Sequence, residues 1–495
     1  MFKKILIANR GEIARRVMYT CREMGVATVA VYSDVDRNAV HVLEADQAVL
    51  LGDAEPAASY LNIDKIIAAA KETGAEAIHP GYGFLAENAD FAERCEREGL
   101  TFIGPPASVI RELGDKTVAR QTMIKNGVPV IPGMTHPESD PEAIAREADR
   151  LGYPVLIKAA AGGGGKGMRV VQAQPEIREA CLSAASEAAS AFGSGSIYLE
   201  KYLARPRHIE FQILADRYGT IVHLLERECS IQRRHQKIIE ETPSPAMTPE
   251  LRERMGMAAV AAARASGYVN AGTVEFLLDT DGSFYFLEVN TRLQVEHPIT
   301  EMVTGLDIVR HQLLIAAGEP LTLVQEEIRG RGHAIECRIY AEDPEQGFYP
   351  SPGRITCLKE PSGPGIRNDC GVYAGFQVPV EYDPILSKLI AHAESREAAI
   401  ERMIQALSSY VILGIRTAIP FLIDVLRSEA FVAGETFTDF VTAHFADWKP
   451  ERSDTDLARI AYIIDDLAGR RKATVSSAGA GVPLSPWQSL GNWRR

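Results

Sequence analysis

Long apolar runs are missing from this 495-residue sequence. The longest, such as Lys4-Ile-Leu-Ile-Ala8, are strand-sized and far short of the ~20 residues that cross a bilayer, so no transmembrane helix is expected. Cysteine is scarce and unpatterned. The seven, at positions 21, 95, 181, 229, 337, 357 and 370, are odd in number and form no Cys-x-x-Cys pair, which argues against a disulfide framework or a cysteine zinc site. The N-terminus lacks a small-residue cleavage site: the apolar run after Lys3 and Lys4 closes on Asn9, Arg10 and Glu12, and reads as a first strand rather than a signal peptide. A reducing, cytoplasmic location is expected. Positive charge is in deficit as well. With 53 Lys and Arg against 66 Asp and Glu the net charge is −13, which repels nucleic-acid phosphates and anionic membranes and argues against both as partners. The one dense cationic stretch, residues 226–237, has no aromatic residue between its charges on which bases could stack.

What is present is the composition of a globular protein, 46% hydrophobic and 24% charged, in a chain long enough for about three domains at the usual ~150 residues each. From residue 1 to about 115, β-rich runs at 5–8, 27–32, 48–51 and 77–79 alternate with helical patterns at 12–24, 63–73 and 88–98. That rhythm implies βαβ units on a parallel, doubly wound sheet. The Asn9-Arg10-Gly11-Glu12 turn lacks the spacing of a dinucleotide fingerprint, so this domain reads as support. Residues 116 to about 320 change to glycine-punctuated hairpins. A third, β-rich block runs from about 332 to 447, with a strand at 334–340 and a helix at 396–410. Beyond 448, Leu457, Ile460, Ala461, Ile464 and Leu467 mark one amphipathic helix, and 473–495 reads as a loose tail.

Three constellations carry chemistry. The first is Lys158-Ala-Ala-Ala-Gly162-Gly163-Gly164-Gly165-Lys166-Gly167, followed by a strand at 168–171. A dinucleotide fingerprint would lead into a helix, and a Walker motif needs Ser or Thr after the lysine, so neither fits. A glycine hairpin with lysines at its base and tip lets backbone N–H groups close over phosphates. In the second, 273–279 and 283–290 flank Asp281-Gly282, a two-residue hairpin signal. With that loop Thr280 opposes Ser283, and the register carried back sets Glu275 opposite Glu288, Cβ atoms ~5 Å apart. Two such carboxylates repel unless a cation lies between them or one is protonated. Asn290 adds a third oxygen, a set suited to Mg²⁺ or Mn²⁺. Glu288, Asn290, Arg292, Gln294 and Glu296 fall on every second position, which in an extended strand gives one continuous polar face. The third pairs His208, Glu210 and Gln212 on one strand face with the cationic loop through Gln232, Arg233, Arg234, His235 and Lys237, a pocket for small anions. No serine-centred triad or histidine-rich zinc signature competes.

The motifs Ile7-Ala-Asn-Arg-Gly-Glu-Ile13, His79-Pro-Gly-Tyr-Gly-Phe-Leu-Ala-Glu-Asn88, Gly162 to Met168, Arg233-Arg-His-Gln-Lys237, Glu288-Val-Asn-Thr-Arg-Leu-Gln-Val-Glu-His-Pro298 and Glu336-Cys-Arg338-Ile occur in this order. Together they resemble biotin carboxylase, the ATP-grasp component of biotin-dependent carboxylases, over roughly residues 1–447. The resemblance implies an α/β and α+β chain: an N-terminal doubly wound α/β domain (1–115), an ATP-grasp domain (116–330) with a lid at about 131–202, a β-rich C-terminal domain (331–447) and an extension (448–495). It puts ATP on Lys116, Lys158, Gly164, Gly165, Glu200, Lys201, Tyr202, Leu203, His208, Gln232, His235 and Leu277. Glu275, Glu288 and Asn290 would hold Mg²⁺ or Mn²⁺. Bicarbonate would sit on Lys237, Arg292, Gln294 and the Val295 backbone, and biotin by Tyr82, Gly83 and Arg338. In the implied reaction Glu296 deprotonates bicarbonate, which attacks the γ-phosphate to give carboxyphosphate; this releases CO₂ beside biotin, and Arg338 stabilises the enolate-like ureido oxygen.

Two departures matter. Ala161 shortens the glycine run, and no Met-Lys-Met exists among the 11 methionines, so no biotin attachment site is expected. Biotin would come on a separate biotin carboxyl carrier protein. A carboxyltransferase would be the further partner, in the manner of multi-subunit acyl-CoA or two-subunit pyruvate carboxylases. A homodimer is the usual state of the family. The helix near 457–467 is expected to dock a partner subunit or the protomer itself. Rival readings are another ATP-grasp ligase joining a carboxylate to an amine, which has no use for the pairing of Arg292 and Glu296 with Arg338, and a regulatory nucleotide-binding protein, which has no need of intact Lys116, Glu275 and Glu296.

Overall fold

The N-terminal alternation folds as its periodicity predicts. In the computed structural model, which describes residues 1–134, 136, 138–159, 168–192, 195–234, 236–450 and 464, strands β1 (Lys4–Ile7), β2 (Ala27–Ser33), β3 (Gln47–Gly52), β4 (Ala77–His79) and β5 (Thr101–Phe102) form a parallel sheet in the order β3-β2-β1-β4-β5. Helices Gly11–Glu23, Ile63–Thr73 and Ala89–Arg97 make the crossovers. Strand order reverses at β1, the switch point where open α/β sheets bind ligands, and the turn leaving β1 carries Asn9 to Glu12.

Strands β6 (Val155–Ala159), β7 (Arg169–Val171) and β8 (Ile197–Lys201) form a small antiparallel sheet, so the two strands expected on either side of the glycine hairpin are present. The hairpin residues, Gly164 and Gly165 among them, lie outside the described residues.

The largest sheet joins β9 (Arg207–Ala215), β10 (Ile221–Arg233), β11 (Gln236–Thr242), β12 (Asn270–Leu278), β13 (Phe284–Asn290) and β14 (His333–Tyr340) in the order β13-β12-β9-β10-β11-β14, continued by strands Ile385–Ala393 and Ile366–Cys370. It runs without a break across residue 330. One apolar cluster packs Ile5 and Ile7 of β1 with Leu214, Val222, Leu293 and Leu313, so the N-terminal and largest sheets share a core. Residues 1–448 form one compact unit and 449–495 a second. The helix expected near 457–467 and the tail lie outside the described residues, apart from the helical, exposed Ile464. Among the described residues no helix is long and apolar enough to cross a membrane.

Two local expectations need correction. The β12–β13 loop is not the two-residue turn: Asp279 N–H bonds Ser283 O at 2.8 Å, Gly282 N–H bonds Asp279 O at 3.1 Å, and Gly282 has φ +83°, a three-residue loop closed by a left-handed glycine. This would slip Glu275 off Glu288, but the register shifts again between Glu275 and Phe276, and Glu275 does pair with Glu288. The second correction concerns the polar run after Glu288. The strand ends at Asn290, and Glu296 is the N-cap residue of helix His297–Thr304, which has Pro298 in its first turn.

Candidate active site

A cleft of about 1530 Å³ opens between the β1 turn, the small sheet and the largest sheet. Lys116, Lys158, Glu200, Lys201, Tyr202, Leu203, His208, Gln232 and Leu277 line it. So do Lys237, Glu275, Glu288, Asn290, Arg292, Gln294, Val295, Tyr82, Gly83 and Arg338. Of the remaining expected residues, Gly164, Gly165 and His235 lie outside the described residues, and Glu296 is fully buried behind the wall.

The alternation of β9 explains one wall. His208, Glu210 and Gln212 share a face, and β12 runs alongside with Glu275 directly opposite Glu210. Lys237, on β11 rather than in a free loop, reaches across with Nζ 2.5 Å from Glu210 Oε2, 2.8 Å from Glu275 Oε1 and 2.8 Å from Glu296 Oε1. Arg338, on β14, bridges two carboxylates: Nε to Glu240 Oε1 at 2.5 Å and Nη2 to Glu296 Oε2 at 3.1 Å. Glu296 is thus held from both sides by cations.

Burial alone would raise the Glu296 carboxyl; Lys237, Arg338 and Arg227 overcome it and hold it below the usual carboxylate range. Glu275 is held well below that range for the same reason, by Lys237 and His208 against burial. Lys237 is buried too, which disfavours its charge, yet the surrounding glutamates push it well above an ordinary lysine. The site is built to keep its charges.

On the opposite side Glu288 meets Lys116 at 3.2 Å, and Asn290 Oδ1 accepts from Arg292 Nη2 at 3.1 Å. Arg292 also donates to Gln294 Oε1 at 3.2 Å, and Gln294 Nε2 to Glu275 Oε1 at 3.0 Å. Glu275, Glu288 and Asn290 therefore offer oxygen donors that already attract cations, and the buried Asn290 Nδ2 has no acceptor among the described residues. Such a donor set fits Mg²⁺ or Mn²⁺.

Several further residues, which no sequence motif marks by its chemistry, complete the site. Arg227, fully buried, ties Glu210 (2.5 Å), Gln212 (2.8 Å), Thr300 (3.0 Å) and Thr273 (3.1 Å) together from behind. Glu87 anchors Arg292 Nε at 2.9 Å, Arg120 meets Glu200 at 3.2 Å, and Lys388 is buried behind Val295. Glu87 stands inside the motif running from His79 to Asn88; the others pair across long sequence separations that local spacing does not reveal.

Comparison with known proteins decides the family. Residues 1–110 match the biotin carboxylase N-terminal domain, 115–324 the ATP-binding domain of the carbamoyl-phosphate synthase L chain, and 336–443 the biotin carboxylase C-terminal domain. The "Biotin carboxylase" of Nostoc sp. is 54% identical over 441 residues, 89% of this chain and 98% of that protein. This chain belongs to the biotin carboxylase family. As such it is an ATP-dependent ligase with the ATP-grasp fold. A pyruvate carboxylase subunit of Methanothermobacter thermautotrophicus is 55% identical over 474 residues, 96% of this chain and 95% of that one. Among solved structures, the biotin carboxylase domain dimer of Hydrogenobacter thermophilus 2-oxoglutarate carboxylase, in complex with MgADP, ADP and bicarbonate, superposes with TM-score 0.84 at 50% identity, covering 90% of this chain and 98% of that one.

Proposed function

We propose that this biotin carboxylase carboxylates biotin presented by a separate biotin carboxyl carrier protein, using ATP and bicarbonate, as the first half-reaction of an acetyl-CoA or other acyl-CoA carboxylase. The observation that carries the reading is the convergence of Lys237, Arg292, Gln294, Glu296 and Arg338 within one hydrogen-bonded group on the cleft. ATP lies along Glu200 to Leu203, His208, Gln232 and Leu277, with its phosphates toward Lys116 and Lys158. Mg²⁺ or Mn²⁺ held by Glu275, Glu288 and Asn290 would offset the phosphate charge.

Bicarbonate rests on Arg292, Gln294, Lys237 and the Val295 backbone. Glu296, kept ionised by Lys237 and Arg338, takes its proton, and the freed oxygen attacks the γ-phosphate while ADP leaves. Carboxyphosphate then breaks into CO₂ and phosphate, the phosphate takes the ureido proton, and the biotin nitrogen adds to CO₂. Arg338 offsets the charge on the ureido oxygen, with Tyr82 and Gly83 bordering biotin.

The proposed division of the chain is 1–115, 116–330 with a lid at about 131–202, 331–447 and an extension at 448–495. A cytoplasmic homodimer working with a carboxyltransferase subunit completes the picture, supported by the seven free cysteines and by the dimeric Hydrogenobacter relative. A second reading is the biotin-carboxylating half of a two-subunit pyruvate carboxylase, supported by the Methanothermobacter relative, which matches 474 residues, 96% of this chain.

The test is ATP hydrolysis with bicarbonate, with and without free biotin. Stimulation by biotin that disappears in Glu296→Ala and Arg338→Ala, with nucleotide binding retained, is expected; hydrolysis indifferent to biotin overturns the reading. Assay of the reconstituted complex with acetyl-CoA, propionyl-CoA and pyruvate then separates the acceptors.

A further inference from the structure

Two buried side chains that take no part in the proposed chemistry grip consecutive carbonyl groups of the bicarbonate segment. His297 Nδ1 lies 2.8 Å from the Gln294 carbonyl oxygen, and Lys388 Nζ donates to the Val295 carbonyl oxygen at 3.0 Å. Both side chains have no exposure. Lys388 is itself fixed by Glu12 at 3.2 Å and Asp369 at 3.9 Å, and so cannot easily follow a moving loop.

The peptides Gln294–Val295 and Val295–Glu296 are both trans, because the cis bonds of the described chain are Tyr153–Pro154 and Thr242–Pro243. In a trans peptide the N–H points opposite to the C=O. Holding the Gln294 carbonyl therefore aims the Val295 N–H away from His297, and holding the Val295 carbonyl aims the Glu296 N–H away from Lys388. Neither N–H donates to an acceptor among the described residues, and Val295 lines the cleft. A free N–H on the cleft wall is a ready donor for an anion.

We propose that His297 and Lys388 are positioning residues that fix the peptides on either side of Val295 so that the Val295 N–H group faces the bicarbonate anion. This deepens the reading under Proposed function and rests on it. The role requires a proton on His297 Nδ1, which in a neutral ring means the Nδ1–H tautomer. Burial lowers its affinity for a second proton, and the nearby Lys388, Arg16 and Arg367 lower it further. His297 Nε2 correspondingly makes no hydrogen bond among the described residues, with the Glu301 carboxylate 3.9 Å away.

The experiment measures KM for bicarbonate and for ATP in bicarbonate-dependent ATP hydrolysis. His297→Leu and Lys388→Met are expected to raise KM for bicarbonate about tenfold each, the size of one lost hydrogen bond, with KM for ATP unchanged. His297→Asn places an amide N–H where Nδ1 stands and should keep KM near the wild-type value, whereas His297→Gln places it where Nε2 stands and should not. That polar pair decides the matter even if the apolar variants do not fold. A lower melting temperature with unchanged KM for bicarbonate in all variants, or equal behaviour of Asn and Gln, overturns the proposal. A wild-type enzyme that hydrolyses ATP without responding to bicarbonate refutes the functional reading itself, a separate outcome.

Discussion

Arg338 Nη2 lies 3.1 Å from Glu296 Oε2 while Nε of the same guanidinium holds Glu240 at 2.5 Å. One planar group thus sets the distance between the proposed base and a second buried carboxylate and still borders the cleft. A lysine carries the same charge but cannot span two carboxylates with a rigid fork. Arg338→Lys should lower biotin-stimulated ATP turnover by about a hundredfold, an order typical of losing one group that stabilises developing charge. Bicarbonate-dependent hydrolysis without biotin should change much less, and steady-state assays with and without biotin check the split.

Glu288 is the more accessible of the two paired carboxylates, facing Lys116 at 3.2 Å. Glu288→Gln removes one charged oxygen donor while keeping shape. The Mg²⁺ or Mn²⁺ concentration for half-maximal ATP hydrolysis should rise about tenfold, as expected for weakening one metal ligand, with the melting temperature of the nucleotide-free protein unchanged. Titration of activity against free metal ion measures it, and chelation should abolish turnover of the wild type.

The sequence made the N-terminal sheet legible because period-2 and period-3.6 patterns alternate there without interruption, and helix Ile63–Thr73 and strand Ala77–His79 have the expected bounds. The Glu275–Glu288 pairing emerged for a partly accidental reason: the loop is one residue longer than the Asp-Gly signal implies, and the register shift beside Glu275 restores the expected pairing. Alternation misled after Asn290. Pro298 is the opposing sign, since proline in a first turn marks a helix start and makes Glu296 its cap rather than a strand residue. The remaining partners were illegible in principle. Arg227 with Glu210, Arg338 with Glu240 and Lys388 with Val295 join residues 17, 98 and 93 positions apart, and only the sheet order brings them together.

Arg227 tests how far the site depends on its unseen backing. It is fully buried, and its removal takes from Glu210 one of its two close cations, leaving Lys237 at 2.5 Å and His208 at 4.0 Å. Arg227→Met should cost roughly 3–5 kcal/mol of stability, the usual result of breaking a buried ion pair from one side. The double variant Arg227→Met with Glu210→Leu removes both partners and should recover much of that loss, as read by denaturant melts. Activity should not recover with it, because Glu210 also holds Lys237.

Glu228 supplies a pH signature separate from the chemistry. It is buried beside Arg207, Ser230 and Ser244, and burial pushes its carboxyl up to about 7 from an ordinary 4.5. A carboxyl raised in the folded state binds its proton more tightly there than in the unfolded chain, so its contribution is complete below about 4.5 and is lost as pH rises through about 7. The swing is on the order of 3 kcal/mol for such a shift. Glu228→Gln carries the neutral form at every pH. Its stability relative to wild type should therefore rise between pH 5 and 8, measured as the difference in melting temperature across that range, and a flat difference refutes the assignment of the proton to Glu228.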